Sequence, residues 1–422
     1  MDKVMLIGSG GREHALAREF SQSEHVGIIY CVPGNGGTAV TEKCENVDLK
    51  SYTDMANFAL ENKISLTVVG PEEPLVKGIA DLFLKRGPRI FGPVAASARL
   101  EGSKAYAKNF MKRYGVPTAS FRTFTDPEEA TMYVEHAGPV YVKASGLALG
   151  KGALDGSTID MAKEAIIRIM VNNEFPDAWN EIVVEEYLSG EEASYMAFVN
   201  SEAGIVAPLK PSQDHKKIGE NDTGDNTGGM GAYSPTKLIT EELDQRIMDE
   251  IITRTLHGLQ VRGLQYKGVI YPGLKIKDGV PYVLEYNIRF GDPETQAVLP
   301  LLESDLYEAM NDVIDGRMPD LKWKDGYAVC VVMASKGYPG QYEKWKRISG
   351  LDNRNENVMV FHAGTRYEDG SFYTNGGRVL GVTATGNSIR EAREGAYNAI
   401  ESIHFDNAYF RRDIAQRELE RR

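Results

Sequence analysis

Leu284-Glu285-Tyr286-Asn287-Ile288-Arg289-Phe290-Gly291-Asp292-Pro293-Glu294 is the segment on which the reading of this chain turns. Its first half alternates like a strand, whose successive side chains point to opposite faces. Leu284, Tyr286 and Ile288 are expected to face a core, and Glu285, Asn287 and Arg289 to share the other face. A carboxylate and an amide oxygen two residues apart can hold one hard cation, which prefers oxygen ligands. An arginine one step further presents a planar fork suited to an anion. Cation ligands beside an anion clamp fit a nucleotide phosphate with its divalent cation. For an arbitrary Glu-x-Asn-x-Arg the plainer reading is an exposed strand face with a Glu–Arg pair. The Gly-Asp-Pro-Glu turn that follows, and the segments below, reverse that preference.

The 422 residues are enough for two to four domains. With 42% hydrophobic and 26% charged residues the chain can bury a large core as an ordinary soluble protein. It has no apolar run of membrane-spanning length. Met1 to Gly8 is too short and strand-like for a signal peptide. Cys31, Cys44 and Cys330 are odd in number and form no Cys-x-x-Cys, which argues against a disulfide framework or zinc site and fits a reducing cytoplasm. A net charge of −12 argues against nucleic acid as a partner. Positive charge for an anionic substrate must then be local.

Working outward, Lys3 to Gly8, Ile28 to Val32, Leu66 to Gly70 and Arg89 to Gly92 read as strands, with a helix from about Arg12 to Ser21 and helical patterns further on. This alternation implies a parallel, helix-covered, Rossmann-like α/β domain over residues 1–103. A second domain spans 104–325. Its first helix runs from Lys104 to about Tyr114, before Gly115. Residues from about 122 to 190 form a small unit able to move as a body, with strands at Ser120–Phe124, Val140–Ala144 and Glu181–Glu186. Residues 193–210 read as antiparallel strands, Ser212 to Pro235 as a long polar loop, and Glu241 to Arg262 as a helix. A hairpin joins Gly268–Lys277 to Tyr282–Arg289 through Asp278-Gly279. Residues 326–422 make a small α+β domain with strands at Ala328–Met333 and Arg378–Thr383, a helix at Ser388–Ile403, and a charged helical tail from Arg411 to Arg422.

Four segments carry candidate chemistry. Gly8-Ser9-Gly10-Gly11-Arg12-Glu13-His14 links a strand to a helix, where backbone N–H groups hold phosphate. The dinucleotide fingerprint fails, since Glu13 replaces the third glycine and no acid follows the second strand. A phosphate-bearing small molecule and a tight turn with a salt-bridged Arg12 are equally good readings. Lys143 to Gly152 is a glycine loop with two lysines, Lys143 and Lys151; its spacing excludes a P-loop, but it can close over a polyphosphate. Glu185 to Glu192 ends a strand with an apolar wall of Val183, Val184 and Leu188, and alone reads as an acidic turn. Ser212-Gln213-Asp214-His215-Lys216 through Gly228-Gly229-Met230-Gly231 is longer than most structureless loops, which are functional or disordered. His215 reads as a hydrogen-bonding residue rather than a metal ligand.

In order, these segments, with Val69 to Gly78, Leu100-Glu101-Gly102-Ser103-Lys104 and Thr374-Asn375-Gly376-Gly377-Arg378-Val379, resemble the phosphoribosylamine–glycine ligases (glycinamide ribonucleotide synthetases) of the ATP-grasp superfamily. The resemblance covers essentially the whole chain. It implies an ATP-grasp domain with a mobile lid in residues 104–325. It also implies a reaction in which ATP, glycine and 5-phosphoribosylamine give ADP, phosphate and glycinamide ribonucleotide through glycyl phosphate, an early step of purine synthesis. Partners are then these small molecules, with no membrane and room for transient contact with neighbouring pathway enzymes.

By the same resemblance, Lys104 and Lys143 contact ATP phosphates under a lid loop that includes Gly150, Lys151 and Gly152. Glu185, the backbone of Glu186, and Leu188 meet adenine, and Glu192 the ribose. Glu285 and Asn287 hold Mg²⁺ or Mn²⁺, and Arg289 stabilises the transferring phosphoryl group. Asp214, Lys216 and Gly228 to Gly231 line the glycine site. Gly10, Gly11, Arg12, Asn35, Pro71 and Glu72 lie near phosphoribosylamine. Two positions depart from the superfamily pattern: Ser145 stands where Asp is usual in the lid, and Pro272 where many of these enzymes place another acidic ligand. The alternatives are a carboxylase-type ATP-grasp enzyme, which would lack the Asp-His-Lys loop, and a silent nucleotide sensor, which would have lost Lys143, Glu285 or Asn287.

Overall fold

The computed structural model describes residues 1–148, 151–176, 178, 180–352 and 355–421. The first 102 residues run β1 (Asp2–Gly8), α1 (Gly11–Gln22), β2 (Val26–Pro33), β3 (Cys44–Asn46), α2 (Tyr52–Glu61), β4 (Leu66–Val69), α3 (Glu72–Val76), α4 (Ile79–Arg86), β5 (Ile90–Phe91) and α5 (Ala95–Gly102). The strands form a parallel sheet in the order β3-β2-β1-β4-β5. Val4, Leu6, Leu66 and Val68 are fully buried, as continuous apolar runs in a helix-covered sheet should be. Cys44–Asn46 has no strand pattern of its own; pairing with β2 makes it one. The sheet order reverses beside β1, so the chain leaves β1 and β4 in different directions and opens a crevice at their carboxyl ends.

Helix α6 (Lys104–Tyr114) has the expected limits: Ser103 Oγ accepts the Tyr106 N–H, and Gly115 ends it at φ 69°. The small unit that follows comprises β6 (Phe121–Phe124), α7 (Pro127–Val134), β7 (Val140–Ala144), β8 (Ala153–Gly156), α8 (Ile159–Ile166, continued by a π turn over Ile167–Val171) and β9 (Ile182–Glu186). Its sheet is antiparallel, in the order β6-β9-β7-β8, and it has a core of its own around Val142, Ile166 and Val184. That separate core makes it a unit distinct from the sheet that follows.

A larger antiparallel sheet is built from β10 (Glu191–Ser194), β11 (Ala197–Asn200) and β12 (Ile205–Pro208) with a later hairpin. The expected polar loop comes between, and here the structure corrects the sequence reading. It contains β13 (Gln213–Asp214), β14 (Lys217–Gly219), β15 (Thr223–Asn226) and β16 (Gly231–Ser234). β16 pairs with a strand about a hundred residues away, a partner that local polarity conceals. Helices α9 (Glu241–Ile247) and α10 (Thr253–Val261) join through a π turn.

The hairpin of β17 (Lys267–Lys277) and β18 (Val280–Asn287) turns at Asp278 and Gly279, both at positive φ. Leu284 is corrected: Gly273 pairs with Glu285 but Leu274 with Val283, so Leu284 is the extra residue of a bulge and is only half-buried. Val283 takes its core place beside Tyr286 and Ile288. A bulge re-aims the residues that follow it, and Glu285 is the next one. Helices α11 (Thr295–Val298) and α12 (Leu306–Ile314) lead out of this part.

The last part holds β19 (Tyr327–Ser335), β20 (Arg347–Ile348), β21 (Val358–His362), β22 (Thr365–Glu368), β23 (Ser371–Thr374), β24 (Arg378–Gly386), α13 (Ile389–Ile400), β25 (Ala408–Tyr409) and α14 (Gln416–Glu420). Its main sheet, in the order β13-β16-β19-β24-β21, takes two strands from the 213–234 segment. The tail also differs from expectation. Among its described residues only Gln416–Glu420 is helical, Arg411 is fully buried between Asp222 (2.9 Å) and Asp413 (2.6 Å), and Glu418 is fully buried. Charge suggests a solvated tail, but Asp222, far away in sequence, and neighbouring Asp413 hold Arg411 inside. His215 is a structural residue, accepting the Ala415 N–H at 3.1 Å. Among the described residues no helix is long and apolar enough to cross a membrane.

Candidate active site

At the end of β18, Glu285, Asn287 and Arg289 share a face as the alternation requires. The Glu285 carboxylate forms no ion pair among the described residues. Burial opposes its charge, yet Lys216, Lys104 and Lys143 outweigh that and hold its carboxyl below the usual range. The Arg289 guanidinium is heavily engaged. Nε reaches Glu72 at 3.4 Å, Nη2 reaches Glu101 at 3.1 Å and Asn287 Oδ1 at 2.9 Å, and Nη1 donates to the Phe290 carbonyl at 3.2 Å. Glu101 also accepts the Ile288 N–H at 2.7 Å, and burial pushes its carboxyl up to about 7 despite Arg289.

The 212–231 segment delivers a second cluster. Lys216 Nζ lies 3.0 Å from Glu192, which Lys275 approaches at 3.3 Å. Burial opposes the Glu192 charge, but the two lysines hold its carboxyl down at about 2. Asp214 behaves oppositely: burial pushes its carboxyl up to about 7, with Lys216 opposing and Glu294 and Glu192 adding to the rise. Glu294 accepts the Tyr271 hydroxyl at 2.6 Å, and Ser194 joins them. The Lys216 carbonyl accepts the Thr227 N–H, and His215 exchanges backbone bonds with Met230 and Gly231, so the Asp214–Lys216 and Gly228–Gly231 segments lie together. Gly229 has φ 111° and packs where a side chain would strike Pro293. The Met230 side chain is fully buried in the C-terminal core, so only its backbone can face a ligand.

The small unit packs against α6 and reaches the C-terminal part. Lys143 on β7 and Lys108 on α6 both pair with Glu185 on β9; the Lys108 contact is 2.5 Å and all three residues are buried. Two ammonium groups thus grip one carboxylate, whose acidity they maintain against burial. Glu186 is exposed, accepting the Ser120 hydroxyl at 2.7 Å, and Leu188 is buried. Ser145 ties the end of β7 to α6: its carbonyl accepts the Lys104 N–H and its hydroxyl the Ala105 N–H, while the hydroxyl donates to Glu181. A serine here therefore serves as a joint between lid and helix. Lys151 donates to the Pro339 carbonyl at 3.0 Å, and Gly152 is buried. Gly150 lies outside the described residues.

The crevice of the first domain opens on the same cleft. Gly10 and Gly11 approach Asp292 and Gln296 so closely that added Cβ atoms would sit 2.9 Å and 2.6 Å from their side chains. Asn35 donates to the carbonyls of Ser9 (3.0 Å) and His362 (2.7 Å). Pro71 precedes α3, and Glu72 opens it. Of the two readings of the first turn, the salt-bridged arginine is present: Arg12 Nε meets Glu13 at 2.6 Å and Nη1 donates to the Phe290 carbonyl at 3.0 Å. Its charge still reaches Glu72 and Asp292. Arg378 donates to the carbonyls of Gly228 and Asp292, both at 2.7 Å, so one C-terminal side chain ties the Gly228–Gly231 segment to the turn after β18.

Glu101, Asp292, Glu294 and Arg378 lie within the sequence motifs but carry no role there, and Lys108 lies in none of them. The signal for Lys108 was its place four residues after Lys104, on the same helix face. A cluster of His25, Asp305 and Glu308 elsewhere has ligand atoms within 4.8 Å of one another, but Asp305 is already the N-cap of α12 and His25 pairs with Glu308.

A buried histidine pair fixes the crevice against the C-terminal part. His14 Nδ1 accepts the His362 N–H at 2.7 Å, and its Nε2 bonds Thr41 Oγ1 at 3.0 Å. Burial lowers His14 to about 3 and His362 to about 4. Folded values below the unfolded value of about 6.5 mean that this stability is complete above that pH and is lost as pH falls toward the folded values, at up to about 1.4 kcal/mol per unit per histidine. Urea unfolding at pH 7.5 and pH 5.5 should show a steep loss in the native protein and a shallower one in His14→Gln. Equal pH slopes would contradict the assignment.

A small antiparallel sheet beside a larger antiparallel one, with lysines and a Glu-x-Asn-x-Arg strand end gathered between them, has the make-up of an ATP-grasp enzyme. Residues 2–101, 102–295 and 328–417 match, in turn, the N domain, the ATP-grasp (A) domain and the C domain of phosphoribosylglycinamide synthetase. The chain belongs to the phosphoribosylamine–glycine ligase family. The ligase of Vibrio parahaemolyticus serotype O3:K6 is 47% identical over 99% of both chains. That of Clostridium acetobutylicum is 46% identical over 98% of this chain and 99% of its own. A crystal structure of the Thermotoga maritima ligase superposes with a TM-score of 0.86 at 35% identity, covering 98% of this chain and all of that one. The biotin carboxylase domain of Hydrogenobacter thermophilus 2-oxoglutarate carboxylase shares the fold, with a TM-score of 0.72 at 17% identity over 97% of this chain and 91% of its own.

Proposed function

We propose that this protein ligates glycine to 5-phosphoribosylamine at the expense of ATP, giving glycinamide ribonucleotide, ADP and phosphate in de novo purine biosynthesis, in the cytoplasm. The observation that carries this reading is the convergence of three segments on one cleft: the Glu285–Arg289 strand end, the Asp214–Lys216 loop and the Gly10–Glu72 crevice. Three such surfaces suit a reaction that joins ATP, an amino acid and a sugar phosphate.

ATP lies between lid and larger sheet. Lys104 and Lys143, with the Lys151–Gly152 loop, take its phosphates; Lys143 exchanges Glu185 for phosphate as the lid accommodates the nucleotide. Leu188 and the backbone of Glu185 and Glu186 receive adenine, and Glu192 the ribose. Asp214 offers a carboxylate to the glycine ammonium and Lys216 an ammonium to its carboxylate. Gly228 to Gly231 shape that pocket. Gly10, Gly11, Arg12, Asn35, Pro71 and Glu72 surround the phosphoribosylamine.

Residues Glu285 and Asn287 fit a divalent cation, Mg²⁺ or Mn²⁺. An unpaired carboxylate beside an amide oxygen, which would have to turn from Arg289 to the ion, is a hard-ion donor set that phosphate oxygens can complete. When bound, the cation screens the γ-phosphate from the approaching carboxylate. A glycine carboxylate oxygen attacks the γ-phosphorus and ADP leaves; Arg289 balances the charge of the transferring group. The sugar amine then attacks the carbonyl carbon of glycyl phosphate, phosphate leaves, and the amine loses a proton. Alignment in the closed cleft is worth up to roughly 7–11 kcal/mol.

Phosphate release should require ATP, glycine and freshly generated phosphoribosylamine together for sustained turnover. Equal turnover without glycine, or with bicarbonate in its place, would refute the reading. The lid should also tighten on ATP. Hydrogen exchange at residues 143–152 should slow with a non-hydrolysable ATP analogue, and unchanged exchange there would count against a lid.

A further inference from the structure

The Arg289 guanidinium is already spoken for. It has five N–H donors in a fixed fork, and these face Glu72, Glu101, Asn287 Oδ1 and the Phe290 carbonyl. Two carboxyl groups, Glu72 ionised and Glu101 raised toward neutrality by burial, already occupy this one arginine before Glu285 is counted. A γ-phosphate cannot use Arg289 well unless one carboxylate lets go.

The two carboxylates are not equivalent. Glu101 is held at 3.1 Å, and its other oxygen accepts the Ile288 N–H at 2.7 Å. Withdrawn from Arg289, it would be a buried carboxyl with no cation partner, while its bond to the Ile288 N–H keeps it in place. Glu72 is the looser partner at 3.4 Å, with its side chain 19% exposed against 10% for Glu101. It stands at the mouth of the β1–β4 crevice, and Arg12 also attracts its charge, so a Glu72 that leaves Arg289 is not stranded. The crevice is where a ligand rich in hydroxyl and amine donors would meet Glu72 as an acceptor.

We propose that the Glu72–Arg289 ion pair couples the two half-reactions: it keeps Arg289 neutralised until phosphoribosylamine draws Glu72 into the crevice, and only then does Arg289 serve the transferring phosphoryl group. This rests on the ligase reading given above. The device protects the acyl phosphate. Without the amine, water would attack the glycyl carbonyl carbon, phosphate would leave, a proton would go to solvent and glycine would be regenerated, so that the net change is hydrolysis of ATP to ADP and phosphate. Glu101 is a positioning residue that holds Arg289 in both states.

The experiment is ADP formation from ATP and glycine with no amine present. In Glu72→Gln the uncoupled rate should rise over wild type by about five- to 150-fold, the usual range of a coupling between two sites. Glu72→Asp should restore part of the restraint, and Glu101→Gln should lower kcat with all three substrates without raising the uncoupled rate. Wild-type protein supplies a second measurement. Ribose 5-phosphate, which has the hydroxyls and phosphate but no nucleophilic nitrogen, should stimulate glycine-dependent ADP formation at concentrations that inhibit the full reaction. An unchanged uncoupled rate in folded Glu72→Gln would overturn the proposal, as would inhibition by ribose 5-phosphate without stimulation. If wild type makes no product from the three substrates, the ligase reading fails; if it does while the uncoupled rates stay flat, only the coupling fails.

Discussion

Glu285→Ala should lower kcat by about 100-fold or more, about 2.7 kcal/mol, while leaving the unfolding midpoint nearly unchanged. The carboxylate lies in a cleft among Lys216, Lys104, Lys143 and Arg289, whose charges hold it ionised against burial, and it pairs with none of them. Its removal therefore breaks no ion pair of the fold. What is lost is an anionic ligand for the cation that screens the γ-phosphate, an interaction needed most as the phosphoryl group moves. Glu285→Gln should fall in between, since an amide oxygen keeps the donor but not the charge. Wild-type kcat at saturating Mg²⁺ in the alanine variant would show that this strand face is merely solvated.

The second large effect falls on stability. Glu185→Ala leaves Lys108 and Lys143 facing each other in a buried site without their carboxylate. Breaking a buried pair by removing one partner costs about 3–5 kcal/mol, because the remaining charge has neither water nor a counter-ion. Two stranded ammonium groups put this case at the upper end. The damage should spread from β9 into the contact between lid and α6, because Lys108 belongs to the helix and Lys143 and Glu185 to the lid sheet. Replacing Lys108 and Glu185 together by Met and Leu should recover much of the loss, although activity would not return. Urea denaturation of the single and double variants decides it: a single variant within about 1 kcal/mol of wild type would mean that water already solvates the trio.

Local patterns in the chain carried several parts of the answer. The alternation Glu285, Asn287, Arg289 put three polar groups on one face. Ser103 and Gly115 bounded α6 because capping depends on neighbours in sequence. Asp278-Gly279 marked the hairpin because few residues tolerate two consecutive positive φ values. Alternating strands and helices gave away the parallel sheet of the first domain. The ordered motifs named the family, which the full-length relatives support.

Other parts lay beyond any local rule. Leu284 reads as a core residue by period, and only its pairing with β17 reveals the bulge that moves Val283 into its place. The 212–235 segment reads as loop by polarity, yet Gly231–Ser234 finds a ladder against Ala328–Val331. Arg411 reads as a tail charge but is buried against Asp222, 189 residues away in sequence.

By itself, then, the sequence determined the elements with a short-range signature, the family, and which residue types stand at the strand ends around the cleft. Tertiary structure alone decided which charges meet: Lys108 with Glu185, Arg378 across Gly228 and Asp292, and Glu72 with Arg289. The physical reason is range. Backbone conformation and capping are set within a few residues, whereas an ion pair is set by which distant surfaces pack together and by how little water remains between them.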